Sequence, residues 1–383
     1  MTSNGEITVS SYNIETGERQ VVVMNGESFE TDDHNAGVLL LRPDGKYLTV
    51  YAGHGDEPKM RYRISANPGD MSQWEPERIA ETGGNTSYSN VYRLANTGKT
   101  YNFHRGIRNN PNYMTSNDDG NSWNYGGQLF AFRGRPYLRY ASNNKDRIHF
   151  ITTEEHPRHY NNSIYHGYIQ DGYVKKSDGS HLSRLSNNEK TDLKPQDFTP
   201  VFDGNSDTRD KVAWTSDIEL DKDDNPYIAF SVTQDPISLG ETANTEDGGF
   251  DNRYHYARWD GERWNEYEIA YAGTRLYAGE NEYTGLITLH PDDPNVVYIS
   301  TNVNPETGNS FIGGGKNHEI FRGTTADGGA SWNWIPITKN SAEDNIRPIV
   351  VSNDKYEGVL WLNGRYTTYK NYDLKVLGII NEK

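Results

Sequence analysis

The chain has no cysteine, so neither a disulfide framework nor a thiolate metal site is open to it. It also lacks any run approaching the roughly 20 apolar residues needed to span a bilayer, and no stretch of useful length carries a helical period. Basic residues are in the minority: 38 Lys and Arg against 54 Asp and Glu leave a formal charge of -16. That balance argues against nucleic acid and against an anionic membrane surface as partners. An anionic substrate stays open, provided that arginines are concentrated in a local cleft that opposes the net field. Hydrophobic residues are scarce as well, at 33%, whereas Gly (37) and Tyr (27) are plentiful. This mixture suits many short strands and turns better than helices.

Two stretches organise the reading. Residues 88–105 form two short strands about a turn at Ala95-Asn96-Thr97-Gly98, where Gly tolerates positive φ and Asn can bond its own backbone. Folding there places Tyr88 opposite Arg105, far from the turn. Residues 34–54 repeat the design about Pro43-Asp44-Gly45 and place His34 opposite His54. With the hairpins adjacent and running in the same sense, an imidazole couple and a phenol–guanidinium couple share one rim. His104 alternates away from Arg105 and is expected to be structural.

Further hairpins follow at 136–151, 216–232, 285–300 and 348–362. Strand–turn–strand units repeated this way point to a β-propeller. The expectation is an all-β, seven-bladed propeller spanning 1–383 as a single domain, with six blades as the alternative. In the seven-bladed form, N-terminal strands at 6–9 and 20–23 join the C-terminal strand at 374–377 and close the ring. Two Asp-boxes, Ser116-Asn-Asp118-Asp-Gly120-Asn-Ser-Trp123 and Thr325-Ala-Asp327-Gly-Gly-Ala-Ser-Trp332, support the fold. In such turns Asp binds backbone amides, Gly takes positive φ and Trp packs between strands. Their role is structural.

Taken together, His34-Asn35, Gly53-His54-Gly55, Tyr88-Ser-Asn-Val-Tyr-Arg93, Phe103-His-Arg105-Gly, Arg135-Pro-Tyr137-Leu-Arg139-Tyr and Gly364-Arg-Tyr366 resemble the Asp-box (BNR-4) propellers that include ulvan lyases of polysaccharide lyase families 24 and 25. The resemblance implies β-elimination at C4 of a uronic acid in a sulfated polysaccharide. By position it maps the catalytic set to His34, His54, Tyr88 and Arg105. Beside that set, Asn35, Arg108, Arg135, Tyr137 and Tyr160 are read as candidate substrate contacts, with surface salt bridges as the competing role for the arginines. It implies no cofactor for the chemistry, a monomer, and a secreted or periplasmic location, although the polar N-terminus carries no signal peptide. A sialidase-like hydrolase and a non-catalytic carbohydrate-binding propeller are the competing readings.

The chemistry fits these residue types. The C5 proton of a uronate is weakly acidic while the carboxylate is charged, so a cation on that carboxylate stabilises the developing enolate. Arg binds carboxylate through a bidentate fork and does not deprotonate. A neutral His, with a pKa near 6.5, can take the proton. Tyr readily donates to the leaving oxygen and acts as base only beside a cation. Tyr88 is therefore the expected acid, His34 the base or carboxylate partner, and His54 a positioning or protonating group. Arg139 joins Arg108 and Arg135 as a candidate for binding sulfate or carboxylate. His156 and His166, with His159 nearby, are candidate ligands for a structural calcium or zinc ion. Asp221-Lys-Asp-Asp-Asn225 reads as a plain turn more readily than as a calcium loop.

Overall fold

The computed structural model describes residues 1–185, 191–204, 211–237, 246–311 and 313–383. Parts of the Asp-, Asn- and Gly-rich loops expected within 140–215 and 232–284 lie outside that range. Each of the six hairpins read from the sequence forms the first two strands of an antiparallel sheet, and the six sheets are the six blades of a propeller. Blades 1, 2, 4 and 5 are four-stranded meanders at 38–81, 87–128, 212–273 and 287–336. Blade 3 carries six strands between 138 and 202, and blade 6 three between 344 and 382.

The seven-bladed expectation is thereby corrected to six. Among the described residues, the N-terminal strands Thr8–Tyr12 and Arg19–Val23 pair only with each other, and the last strand, Asn371–Glu382, pairs only with Tyr356–Thr368. Packing explains the difference. Ile7, Val9 and Met24 of the ribbon bury their side chains against Tyr51 and Trp74 of blade 1, while Asn25 holds the ribbon by bonding Ile7 N and Gly5 O. The seam between blades 6 and 1 is instead spanned by the segment before blade 1. Asp33 N donates to Tyr369 O at 2.9 Å. The Asp33 carboxylate accepts from Arg347 Nη2 and from the Tyr366 hydroxyl, both at 2.7 Å.

Inter-blade cores carry the apolar burial. Phe103, Tyr113, Phe130, Ile148, Phe150 and Phe198 form the layer between blades 2 and 3, and Tyr227, Tyr254, Tyr256, Leu289 and Ile299 that between blades 4 and 5. In blades 1 to 5 the second strands are almost wholly buried, and every residue of Pro226–Thr233 is. Both Asp-boxes connect the third and fourth strands of their blades. Asp118 Oδ1 accepts from Ser116 Oγ at 2.7 Å and from Ser122 N at 2.9 Å. Trp123 of blade 2 meets Tyr62 of blade 1 edge-on, and Trp332 of blade 5 meets Tyr256 of blade 4. Asp221 likewise closes a turn, accepting from Asp223 N and Asn225 N at 2.9 Å and from Arg258 Nη2 at 3.0 Å. Among the described residues, no helix is long and apolar enough to cross a membrane.

Candidate active site

The innermost strand of each blade begins at the same end of the ring, and a cavity of about 390 Å³ opens there. Asp33, His34, Tyr88, Arg105, Tyr137, Trp214, Tyr283 and Arg347 are among its lining residues, so all six blades contribute.

The first hairpin has the expected register, with Val38 opposite Val50 and Leu41 opposite Tyr47. Beyond its strands the chain brings His34 and His54 into a parallel stack, with centroids 4.0 Å apart and ring planes at 11°. The second hairpin starts in register, Leu94 opposite Lys99 and Asn90 opposite Phe103, and then slips by one residue. A bulge at Tyr88-Ser89 puts Ser87, not Tyr88, opposite Arg105. The cause is local: Tyr88 takes φ 60°, a left-handed conformation that re-aims a side chain, as bulges beside functional sites do. The expected phenol–guanidinium contact survives, because the Arg105 guanidinium carbon lies 4.6 Å from the Tyr88 ring centroid. Tyr88 also sits 5.6 Å from His34 and 6.0 Å from His54, ring to ring.

Hydrogen bonds tie the group together. His34 Nδ1 contacts Asp32 Oδ1, and His54 Nδ1 lies 3.1 Å from Asp32 Oδ2. Arg105 Nη2 donates to His54 Nε2 at 2.8 Å, while its Nη1 is buried with no hydrogen-bond partner among the described residues. His34 Nε2 faces the Tyr283 hydroxyl at 3.5 Å. Burial acts to raise the Asp32 pKa, but hydrogen bonds from the two histidines outweigh it and hold the carboxyl well below the usual range. Burial drives the Tyr88 phenol well above its ordinary value, with Tyr137 adding to the rise and Arg105 offsetting only part of it. Tyr88 is therefore a protonated phenol at neutral pH, suited to donate and unsuited to act as base.

Of the remaining expected contacts, Tyr137 stands in the site, 6.4 Å from Tyr88 and 4.9 Å from Trp214. Arg139 also lines the cavity. Asn35 is buried beside the site with Nδ2 on Glu30 O, and Arg108 is exposed in a short 3-10 turn. Arg135 is half-buried near His156. Tyr160 packs away from the four-residue set, against Phe132 and Arg133. His156 and His166 are not brought together. His156 packs on Tyr137, Trp214 and His159, whereas His166 bonds His149 and Ser177 inside blade 3. Burial lowers the pKa of both. His104, expected to turn away from the site, is buried and is nonetheless among the residues that line the cavity; burial pulls it down to about 4.

Among the described residues, the set whose ligand atoms come within 4.8 Å of one another is Asp32, His34 and His54. Their Nδ1 atoms and carboxylate oxygens already meet each other, so a cation there would have to displace that contact. The sequence reading missed Asp32 and Asp33, although they stand directly before His34. It also missed Trp214 and Tyr283, which arrive from blades 4 and 5 and carry no local signal, and it gave no site role to Arg347 of blade 6, although Asn345-Ile-Arg347-Pro belongs to the stretches that carry the resemblance.

A sequence model of the BNR repeat-containing family matches residues 1–272. The chain belongs to that family. No curated protein matches it closely. Among solved structures, this BNR-repeat chain is similar to an ulvan lyase of polysaccharide lyase family 25 bound to -[GlcA(1-4)Rha3S]-. The TM-score is 0.69 and the identity 15%, over 96% of this chain and 86% of that one. It is also similar to the polysaccharide lyase Uly1, with TM-score 0.59, 12% identity, and coverage of 98% and 85%. At these identities the likeness is one of fold.

Proposed function

We propose that the protein is a polysaccharide lyase that cleaves a uronic-acid-containing, sulfated polysaccharide of the ulvan type by β-elimination. The observation that carries this reading is the gathering, at one cavity, of a His34 imidazole stacked on that of His54, a protonated phenol and an arginine.

Each group then has a role. Arg105 meets the uronate carboxylate and stabilises charge as the C5–H bond breaks. His34 takes the C5 proton through Nε2, which has only the Tyr283 hydroxyl at 3.5 Å beside it among the described residues, whereas Nε2 of His54 accepts from Arg105 at 2.8 Å. As the C4–O bond breaks, Tyr88 gives its proton to the leaving oxygen, and the electron pair from C5 becomes the C4–C5 double bond. His54 holds the Arg105 fork in place. Tyr137 and Trp214 offer aromatic faces beside the reacting sugar, and Arg139 offers a cation to a neighbouring anionic group.

The test is to mix the protein with ulvan, alginate, chondroitin and a heparin-type polymer and follow ultraviolet absorbance of the unsaturated uronate. A sialidase-like hydrolase or a binding propeller produces no such band. Tyr88→Phe is expected to lower turnover by about 10²–10⁴-fold, the usual worth of a positioned proton donor, with the fold intact by circular dichroism. Arg105→Ala should also abolish the signal. Full activity in Tyr88→Phe would remove the phenol from the mechanism.

A further inference from the structure

Asp32 lies beneath both imidazoles, is 3% exposed, and faces each ring with a different oxygen. We infer that Asp32 is a positioning residue that fixes both histidines in the Nδ1–H tautomer, so that His34 turns an Nε2 lone pair towards the Tyr283 hydroxyl and the cavity and His54 presents one to Arg105.

The argument runs from donor and acceptor chemistry. An ionised carboxylate only accepts hydrogen bonds, so each Nδ1 that meets Asp32 must carry its proton. On the far side of His54, a guanidinium only donates. Arg105 Nη2 at 2.8 Å therefore requires a lone pair on His54 Nε2. Two independent neighbours thus specify one tautomer for His54. For His34, Asp32 Oδ1 accepts from the backbone N at 3.0 Å as well as meeting Nδ1, so a single oxygen orients both backbone and ring. Asp33 Oδ1, 3.1 Å from the same nitrogen, is another acceptor and favours the same tautomer.

This inference rests on the lyase reading for its kinetic consequence but not for its geometry, and the experiment separates the two. Nitrogen NMR of histidine side chains in the full chain, assigned with His34→Gln and His54→Gln, reports which ring nitrogen is protonated. Both wild-type rings are expected as Nδ1–H. Either ring found as Nε2–H overturns the inference, whether or not the protein eliminates uronates. In Asp32→Asn, the amide offers one oxygen and one NH2. At least one ring then faces a donor and must move its proton to Nε2, which blocks the base or repels Arg105. Expected are a changed tautomer, kcat lower by at least about tenfold as for other mis-set imidazoles, and KM within about twofold. A changed tautomer with unchanged kcat would overturn the positioning role. If Asp32→Asn fails to fold, the wild-type spectrum still decides. If wild-type protein makes no unsaturated product, the lyase reading falls and the spectrum alone judges Asp32.

Discussion

Tyr88 and Glu282 each occupy a state their residue type seldom takes. Tyr88 carries φ 60°, which costs an aromatic residue on the order of 1–3 kcal/mol and persists only where the surroundings impose it. The return is a phenol held against Arg105 and within 6.0 Å of both imidazoles. Glu282, 4% exposed beside the cavity, is pushed up from 4.5 to about 7 by burial, with Glu280 adding to the rise. The unfolded chain releases that proton near 4.5, whereas the folded protein keeps it until about 7. Stability from this group is thus fully present below 4.5 and is lost as pH rises towards 7. Glu282→Gln should therefore be more stable than wild type at pH 8, by about 1–3 kcal/mol, and equal to it at pH 4. Urea unfolding at the two pH values checks this, and a stability gain that is the same at both would contradict it.

Among the elements, the seam between blades 6 and 1 differs from the other joints. Blades 1 and 2, like blades 2 and 3, adjoin through shared apolar cores. The seam depends on Asp33, which accepts from Arg347 and Tyr366. Replacing Arg347 leaves that carboxylate, 11% exposed, without its cation. Arg347→Leu is expected to cost about 3 kcal/mol, at the low end for breaking a buried pair because solvent reaches part of it. Hydrogen exchange should rise first in the segment around 24–37 and in blade 6. Uniform loosening of all six blades would argue against a special seam. The Asp-boxes act elsewhere: each fixes the turn that seats a Trp on the preceding blade.

For the whole molecule, charge and site have opposite signs. The chain carries -16, while Arg105, Arg139 and Arg347 line the cavity. An anionic polymer is repelled at long range and attracted only close to the ring axis. Added salt screens the long-range part first, because the Debye length falls to about 10 Å at 0.1 M. With a uronate polymer as substrate, kcat/KM should rise as ionic strength goes from about 10 to about 100 mM. A steep fall over that range would mean that long-range attraction guides the substrate.

The sequence by itself determined the hairpins, their turns, the Asp-boxes and the pairing of His34 with His54, since each depends on residues a few positions apart whose turn chemistry and alternation are local. It also placed Tyr88 beside Arg105, although the bulge that achieves this was not visible, because alternation alone does not report a left-handed residue. The blade count, the seam at Asp33, and the arrival of Trp214, Tyr283 and Arg347 were decided by tertiary structure. Those features depend on how sheets pack around a common axis, where residues hundreds of positions apart become neighbours and the N-terminal ribbon finds a better apolar partner in blade 1 than in the last strand. Asp32 falls between the two: its place next to His34 is written in the chain, but its bond to His54 exists only once the hairpin has closed.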